Sequence, residues 1–327
     1  MTGIDLDTVC ATADTLFAPD AAHGTSLAMV VMHRGDVVFE RYGTQPDTAF
    51  GPGGPVTADT TLVSWSMAKS ITHAAVGILV GEGRLDLDAP APVPAWKGTE
   101  KEAITLQHLL NMQPGLLFVE DYVDGSVSHV IEMLFGEGKD DVAGYAAALP
   151  LAHEPGTVWN YSSGTTNIVA RIVGDVVGGG RDGMEAFLHE RLFGPIGMTS
   201  AIPKFDTAGT FIGSSYVYAT ARDFARFGEL YRNDGVAVDG TRVLPTGWRD
   251  HARTWAASDP DSDFDYGAQW WLWREYPGSL ACHGYEGQYT VVVPDRELVL
   301  VHLGKTAAER RPSLNLQLRR IIDAATP

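Results

Sequence analysis

Residues 64–83 read SWSMAKSITHAAVGILVGEG. A serine and a lysine three positions apart, Ser66 and Lys69, open a run of small and branched apolar residues that Gly81 and Gly83 close. The pattern predicts a helix from about Ser66 to Val80, ended by those glycines. Few charges interrupt it, so the helix is expected to be buried on most sides. Positions i and i+3 share a helix face, which brings the Lys69 amine within reach of the Ser66 hydroxyl. A free hydroxyl is a weak nucleophile and needs a base. Burial lowers the pKa of a lysine and can make it one. A serine on a first turn also has free backbone N–H groups nearby, which can stabilise an oxyanion. The Ser-x-x-Lys pattern occurs once in the chain. An N-cap serine ahead of a surface lysine would show the same four letters, so the surrounding sequence has to decide.

Upstream, Leu27 to Tyr42 reads LAMVVMHRGDVVFERY. Two β-rich runs flank His33-Arg34-Gly35-Asp36, a hairpin with glycine in its turn. The Arg-Gly-Asp tripeptide is read as part of that turn. Downstream, the Pro-rich passage Ala89 to Trp96 ends the first unit. Residues 100–200 then read mostly as helices joined by Gly/Pro turns: ITLQHLLNM (104–112), GYAAALPL (144–151), TTNIVARIVGDVVG (165–178) and MEAFLHERLFGPIGM (184–198). TARDFARFGELYRNDG (220–235) predicts a further helix, with Thr220 as N-cap and Asn233-Asp234-Gly235 as its stop. The C-terminal part returns to strands, QYTVVVP (288–294) and ELVLVHLG (297–304), and a last amphipathic helix spans about Leu314 to Ala325. If both strand regions share one sheet, residues 1–95 and 215–327 form an α/β unit and residues 96–214 a mainly helical one. A crevice between two such units is a common place for a site.

The bulk properties remove several classes of function. The chain has 327 residues, 45% apolar and 20% charged, enough to bury a substantial core. Its 41 acidic against 24 basic side chains give a formal charge of −17. With no basic stripe, neither nucleic acid nor an anionic membrane surface is an expected partner. Two cysteines, Cys10 and Cys282, make no disulfide framework. The opening MTGIDLDTVCATADTLFAPD has no basic segment followed by an apolar run. Nothing elsewhere is long and apolar enough to span a bilayer, so the cytoplasm is the expected location. There is no His-Glu-x-x-His, and the ten histidines are scattered, so neither a metal nor another cofactor is expected.

The wider run SWSMAKS, with VGEGRLDLDAPAP (80–92), resembles the serine β-lactamase and penicillin-binding protein superfamily. It is most similar to the class C-like esterase and 6-aminohexanoate-dimer hydrolase branch. Three further passages follow in the family's order: ITLQHLLNMQPGL (104–116), EPGTVWNYSSG (154–164) and CHGYEGQYTVVVP (282–294). The resemblance covers roughly residues 25–325. It implies a β-lactamase-like α/β (α+β) fold, with an antiparallel sheet flanked by helices plus a mainly helical domain.

The resemblance also implies roles. Ser66 is the nucleophile and Lys69 helps to activate it. Tyr161 matches the family tyrosine and exchanges protons with Ser66 and the leaving group, as phenolate or through Lys69. Ser163 stands where many members have asparagine, as is common in esterases and amidases, and this weakens the case for β-lactam turnover. In the third motif Gly284 matches the family glycine, but Cys282-His283 replace the usual preceding pair. The N–H groups of Ser66 and Tyr285 would form the oxyanion hole, and His283 would bind a substrate carboxylate or tune the lysine. Tyr266, Trp270, Trp271, Trp273 and Tyr276 form an aromatic cluster that either lines a substrate pocket beside the cleft, Trp271 included, or packs in the core. Tyr231-Arg232-Asn233 and Gly304-Lys305-Thr306 mimic parts of such motifs. The first reads as a helix stop, and the second lacks the glycine that a phosphate loop or a third motif requires.

The expected reaction is transfer of an acyl group from a small ester or amide to water through acyl-Ser66, without a cofactor. A D-alanyl-D-alanine carboxypeptidase, a β-lactamase, or a catalytically silent binding protein of the same fold are the alternatives. The sequence leaves the oligomeric state and the natural substrate open.

Overall fold

The computed structural model describes residues 3–19, 21–47, 52–122 and 127–326. An N-terminal helix, α1 (Leu6–Leu16), is capped by the Asp5 carboxylate and precedes the hairpin β1 (Thr25–His33) and β2 (Asp36–Tyr42). Arg34 and Gly35 take φ values of 57° and 87° in the turn, the left-handed pair that a tight hairpin requires. Two short ladders follow, one formed by β3 (Thr44–Gln45) and β4 (Gly54–Pro55), the other started by β5 (Leu62–Val63). The predicted buried helix is α2 (Ala68–Gly81), entered through a 3-10 turn at Trp65–Met67.

A helical stretch comes next: α3 (Leu106–Leu110), α4 (His129–Phe135), α5 (Val142–Ala148), α6 (Ser163–Val177) and α7 (Gly180–Phe187). The run expected to be one helix near 184–198 is α7 continued by a π-helical turn, Leu188–Phe193. Strands β6 (Ile202–Pro203) and β7 (Val217–Ala219) join β5 in a small sheet. Helix α8 (Ala221–Arg232) starts at its Thr220 cap and stops at Asn233, as the sequence predicts, and α9 (Trp248–Arg253) follows. The chain then runs through β8 (Ala257–Ser258), β9 (Phe264–Tyr266), β10 (Trp271–Trp273), β11 (Leu280–Gly284), β12 (Gln288–Val293) and β13 (Leu298–Lys305). The last helix, α10 (Arg311–Asp323), begins three residues before the predicted Leu314, with Pro312 in its first turn, where a missing N–H costs nothing.

The main sheet has eight strands in the order β2-β1-β13-β12-β11-β10-β9-β8, every neighbouring pair antiparallel. The N-terminal hairpin therefore joins the C-terminal strands, with Val30 facing Val301 across β1 and β13. Alternation divides the central strands between two apolar layers. Ala28, Val30, Met32, Val299 and Val301 pack with α2 and α8; Met29, Val31, Leu298 and Leu300 pack with α1 and α10. Both faces are covered, which is why these strands read as unbroken apolar runs rather than as alternating ones.

Every residue of α2 from Ala68 to Leu79 is buried. Its small side chains let neighbours come close. A Cβ on Gly77 would lie 2.3 Å from the Trp248 indole nitrogen, which donates to the His73 carbonyl at 3.1 Å. Gly77→Ala is therefore expected to destabilise the fold by about 1–3 kcal/mol through overpacking, seen as a lower urea midpoint at unchanged m-value.

Candidate active site

The segment before α2 is pinned from both sides. The Ser64 amide donates to the Val217 carbonyl at 2.8 Å, and its hydroxyl accepts from the Val217 amide at 3.1 Å. On the other side, Gly284 at the end of β11 lies against Ser64, whose carbonyl oxygen would sit 2.5 Å from a Cβ there. Only glycine allows that approach, which closes the end of β11 on the turn that carries Ser66. Between these supports Trp65 is held at φ 45°, a conformation that costs a non-glycine residue of order 1 kcal/mol and persists only when its surroundings impose it. The chain then enters α2 with Ser66 partly exposed.

Lys69, one turn on, points into the protein and is 2% exposed. Its Nζ lies 3.0 Å from Ser66 Oγ, 2.9 Å from Ser163 Oγ and 3.1 Å from the Ser214 carbonyl oxygen. It also sits 4.8 Å from the centre of the Tyr161 ring. Burial pulls its pKa down to about 8, while the Glu120 carboxylate opposes that shift. Tyr161, just before α6, has its ring 5.2 Å from that of Trp271, and the Ser66 and Trp271 side chains beside its hydroxyl act to lower its pKa. Burial, reinforced by the Glu120 charge, pushes its pKa above the ordinary phenol value. Near neutrality Tyr161 is a phenol, and the group whose proton is easily lost is Lys69.

Ser163 is the first residue of α6 and is fully buried. Its amide donates to Glu120 Oε2 at 2.7 Å and its hydroxyl to Glu120 Oε1 at 2.6 Å. Glu120 also accepts from the Tyr122 hydroxyl at 3.0 Å. The sequence reading missed Glu120. It lies in an irregular acidic stretch, FVEDYVDG (118–125), with no periodicity and no spacing to mark it.

The remaining expected residues are brought to the same region in different ways. Tyr285 is 40% exposed at the rim; its ring stacks on Tyr122 at 5.2 Å and meets the edge of Trp65 at 5.9 Å. Trp271 lies 5.2 Å from the Tyr161 ring and stacks on His283 at 5.1 Å. His283 Nε2 accepts from the Trp273 indole at 2.9 Å, so its ring proton is on Nδ1. Burial holds the imidazole well below its ordinary pKa. It is thus a neutral member of an aromatic box with Trp271, Trp273, Phe264 and Tyr289. Trp270, Trp273, Tyr266 and Tyr276 are buried in the core, while Trp271 faces Tyr161. Arg311, at the start of α10, sits 5.9 Å from the Tyr285 ring and has no acidic partner within 4 Å among the described residues. Tyr231, from the rejected second tyrosine motif, bonds His73 at 2.7 Å inside the core, and Lys305 pairs with Glu286 at 3.3 Å. Both cysteines are free, Cys10 exposed and Cys282 buried.

A serine hydroxyl, an amine of lowered pKa and a phenol ring thus lie together near the end of β11. The chain belongs to the β-lactamase family, whose family model, described as Beta-lactamase, matches residues 13–322. Among named relatives it is 27% identical over 294 residues to a 6-aminohexanoate-dimer hydrolase of Paenarthrobacter ureafaciens, covering 84% of this chain and 71% of that one. Among solved structures, a putative 6-aminohexanoate-dimer hydrolase from Bacillus anthracis superposes with a TM-score of 0.76 at 25% identity, over 90% of this chain and 78% of that one. A family VIII carboxylesterase shares the fold with a TM-score of 0.72 at 16% identity, over 98% and 96% of the two chains. No helix among the described residues is long and apolar enough to cross a membrane.

Burying Lys69 has a consequence for stability. Its folded pKa of about 8 lies below the ordinary 10.5, so below pH 8 the folded state carries the full penalty of a buried ammonium. The penalty fades as pH rises, because between about 8 and 10.5 the unfolded chain holds a proton that the folded chain has released. At 1.36 kcal/mol per pKa unit it amounts to about 3 kcal/mol at most. The stability of wild type relative to Lys69→Met is therefore expected to rise across that interval, measured by urea unfolding at pH 7, 9 and 10.5.

Proposed function

We propose that this chain is a serine hydrolase that cleaves small esters or amides through an acyl-Ser66 intermediate. The observation that carries the reading is the buried Lys69 amine, 3.0 Å from Ser66 Oγ and shifted to a pKa of about 8. In the proposed course, neutral Lys69 takes the Ser66 proton as Oγ attacks the substrate carbonyl carbon. The backbone N–H groups of Ser66 and Tyr285 face the oxyanion that develops. When the tetrahedral intermediate collapses, the Tyr161 phenol protonates the departing alcohol or amine, and the Lys69 ammonium restores the phenol. Water then repeats the sequence on the acyl-enzyme and releases the acid. The raised pKa of Tyr161 favours a phenol that donates over a phenolate that abstracts.

Ester and amide chemistry is favoured over β-lactam or D-alanyl-D-alanine turnover by Ser163 and by Cys282-His283, where β-lactam-recognising members carry asparagine and a polar or cationic pair. The relatives named 6-aminohexanoate-dimer hydrolase and carboxylesterase point the same way. We also assign residues 1–95 and 215–327 to a sheet-bearing subdomain and 96–214 to a helical one, with the cleft between them.

Four measurements test this. Ser66→Ala is expected to abolish p-nitrophenyl ester hydrolysis and labelling by a fluorophosphonate while keeping the melting temperature; unchanged turnover would remove Ser66 as the nucleophile. Wild-type kcat/KM is expected to rise with pH to a plateau above about 8, because only neutral Lys69 accepts a proton. Tyr161→Phe should cost about 10² to 10⁴ in rate, the range of general acid–base help, with little change in melting temperature. A fall of less than about fivefold, below that range, with clearly earlier melting would make Tyr161 a packing residue. A chromogenic cephalosporin run beside the esters separates the β-lactamase alternative.

A further inference from the structure

We infer that Glu120 is a positioning residue for Lys69: it fixes the Ser163 hydroxyl so that the neutral lysine amine keeps its lone pair for Ser66. This rests on Lys69 being the base of the proposed reaction.

A neutral amine has two N–H donors and one lone pair. Three oxygens surround Lys69 Nζ. The Ser214 carbonyl, at 3.1 Å, can only accept. Ser66 supplies the proton to be taken. Ser163 Oγ, at 2.9 Å, is ambiguous, because a hydroxyl can accept from the amine or donate to its lone pair. If it donated, the base would be occupied and Ser66 would lose its proton acceptor. Glu120 removes the ambiguity. Its Oε1 lies 2.6 Å from Ser163 Oγ and, being a carboxylate, only accepts, so the single Ser163 proton is committed there. The Ser163 oxygen then offers Lys69 a lone pair alone. Two acceptors hold the two N–H groups, and the lone pair is left facing Ser66.

Glu120 is itself held in place. The Ser163 amide anchors Oε2 at 2.7 Å and the Tyr122 hydroxyl reaches Oε1 at 3.0 Å. The charged and titratable groups around this pair come from several elements. Lys69 is on α2, Tyr161 precedes α6, Tyr266 is on β9, Tyr122 and Asp121 adjoin Glu120 on its own segment, and Arg311 on α10 acts on Tyr161. The Glu120 charge favours the ammonium form of Lys69, so removing it lowers the lysine pKa further.

The test is a set of pH profiles of kcat/KM with p-nitrophenyl butyrate, for wild type, Glu120→Gln, Glu120→Asp, Ser163→Ala and the Glu120→Gln/Ser163→Ala pair. Glu120→Gln is expected to lower the plateau roughly tenfold or more, the scale of a misplaced catalytic group, and to move the acid limb to lower pH. Glu120→Asp keeps the charge but draws it back, so the plateau falls while the limb stays. Ser163→Ala removes the competing donor, so adding Glu120→Gln to it moves the limb with little further loss of plateau. A wild-type plateau and limb in Glu120→Gln, or the same plateau loss with and without Ser163, would overturn the inference and leave Glu120 as a structural cap of α6. If Glu120→Gln does not fold, the Glu120→Asp profile decides, an unchanged plateau counting against the inference. Fluorophosphonate labelling of wild type reports on the underlying reading separately: an unlabelled Ser66 sinks both, whereas a labelled Ser66 with an unresponsive Glu120 sinks only this one.

Discussion

The interaction on which the rest depends is the burial of one amine. Lys69 is taken out of water beside Ser66, with three oxygens around its nitrogen, and this is unfavourable for a group that prefers to be charged. The structure around it meets that cost with apolar packing. Helix α2 is buried on all sides from Ala68 to Leu79 because the sheet covers one flank and α6 and the Ser214 segment the other. The resulting local destabilisation is what brings the amine's pKa down to about 8. A surface lysine at the same spacing would keep its ordinary pKa.

The second constraint is the positioning of that pair against a strand end. Ser64 is tied to Val217 on β7 and touched by Gly284 on β11, so the turn carrying Ser66 is clamped between two sheets. The positive φ of Trp65 is a product of that clamp. The aromatic side chains divide the labour around it. Trp270 and Tyr231 fill the core behind α2, whereas Trp271 packs against Tyr161 beside Lys69. His283, which looks like a substrate ligand in sequence, is bound to Trp273 and supports the wall that orients Trp271.

Much of this was legible in the chain itself, for reasons that are local. The β1–β2 hairpin follows from two apolar runs around Arg34-Gly35, α8 from Thr220 and its amphipathic period, and α2 from its apolar run ended by Gly81 and Gly83. The Ser66–Lys69 contact follows from the three-residue offset on one helix face. Other features were hidden because their causes are not local. The short N-terminal helix α1 was not anticipated, since its apolar face matters only against α10 and the sheet. The π-helical turn after α7 shares the apolar pattern of an ordinary helix and differs only in backbone hydrogen bonding.

The sequence by itself determined the local elements and the order in which the candidate residues occur along them, because helix and strand periods, caps and turn residues are written in neighbouring letters. The tertiary structure alone decided what surrounds the Lys69 amine, because Ser66, Tyr161, Ser163 and Ser214 meet there only when elements up to 145 residues apart pack together. It also decided the protonation states. Burial pushes Lys69 down and Tyr161 up, and burial belongs to the folded chain rather than to any residue type. Glu120 shows the distinction most clearly. In the chain it is one acid among 41, and only its 2.6 Å contact with Ser163, itself 2.9 Å from Lys69, sets it apart.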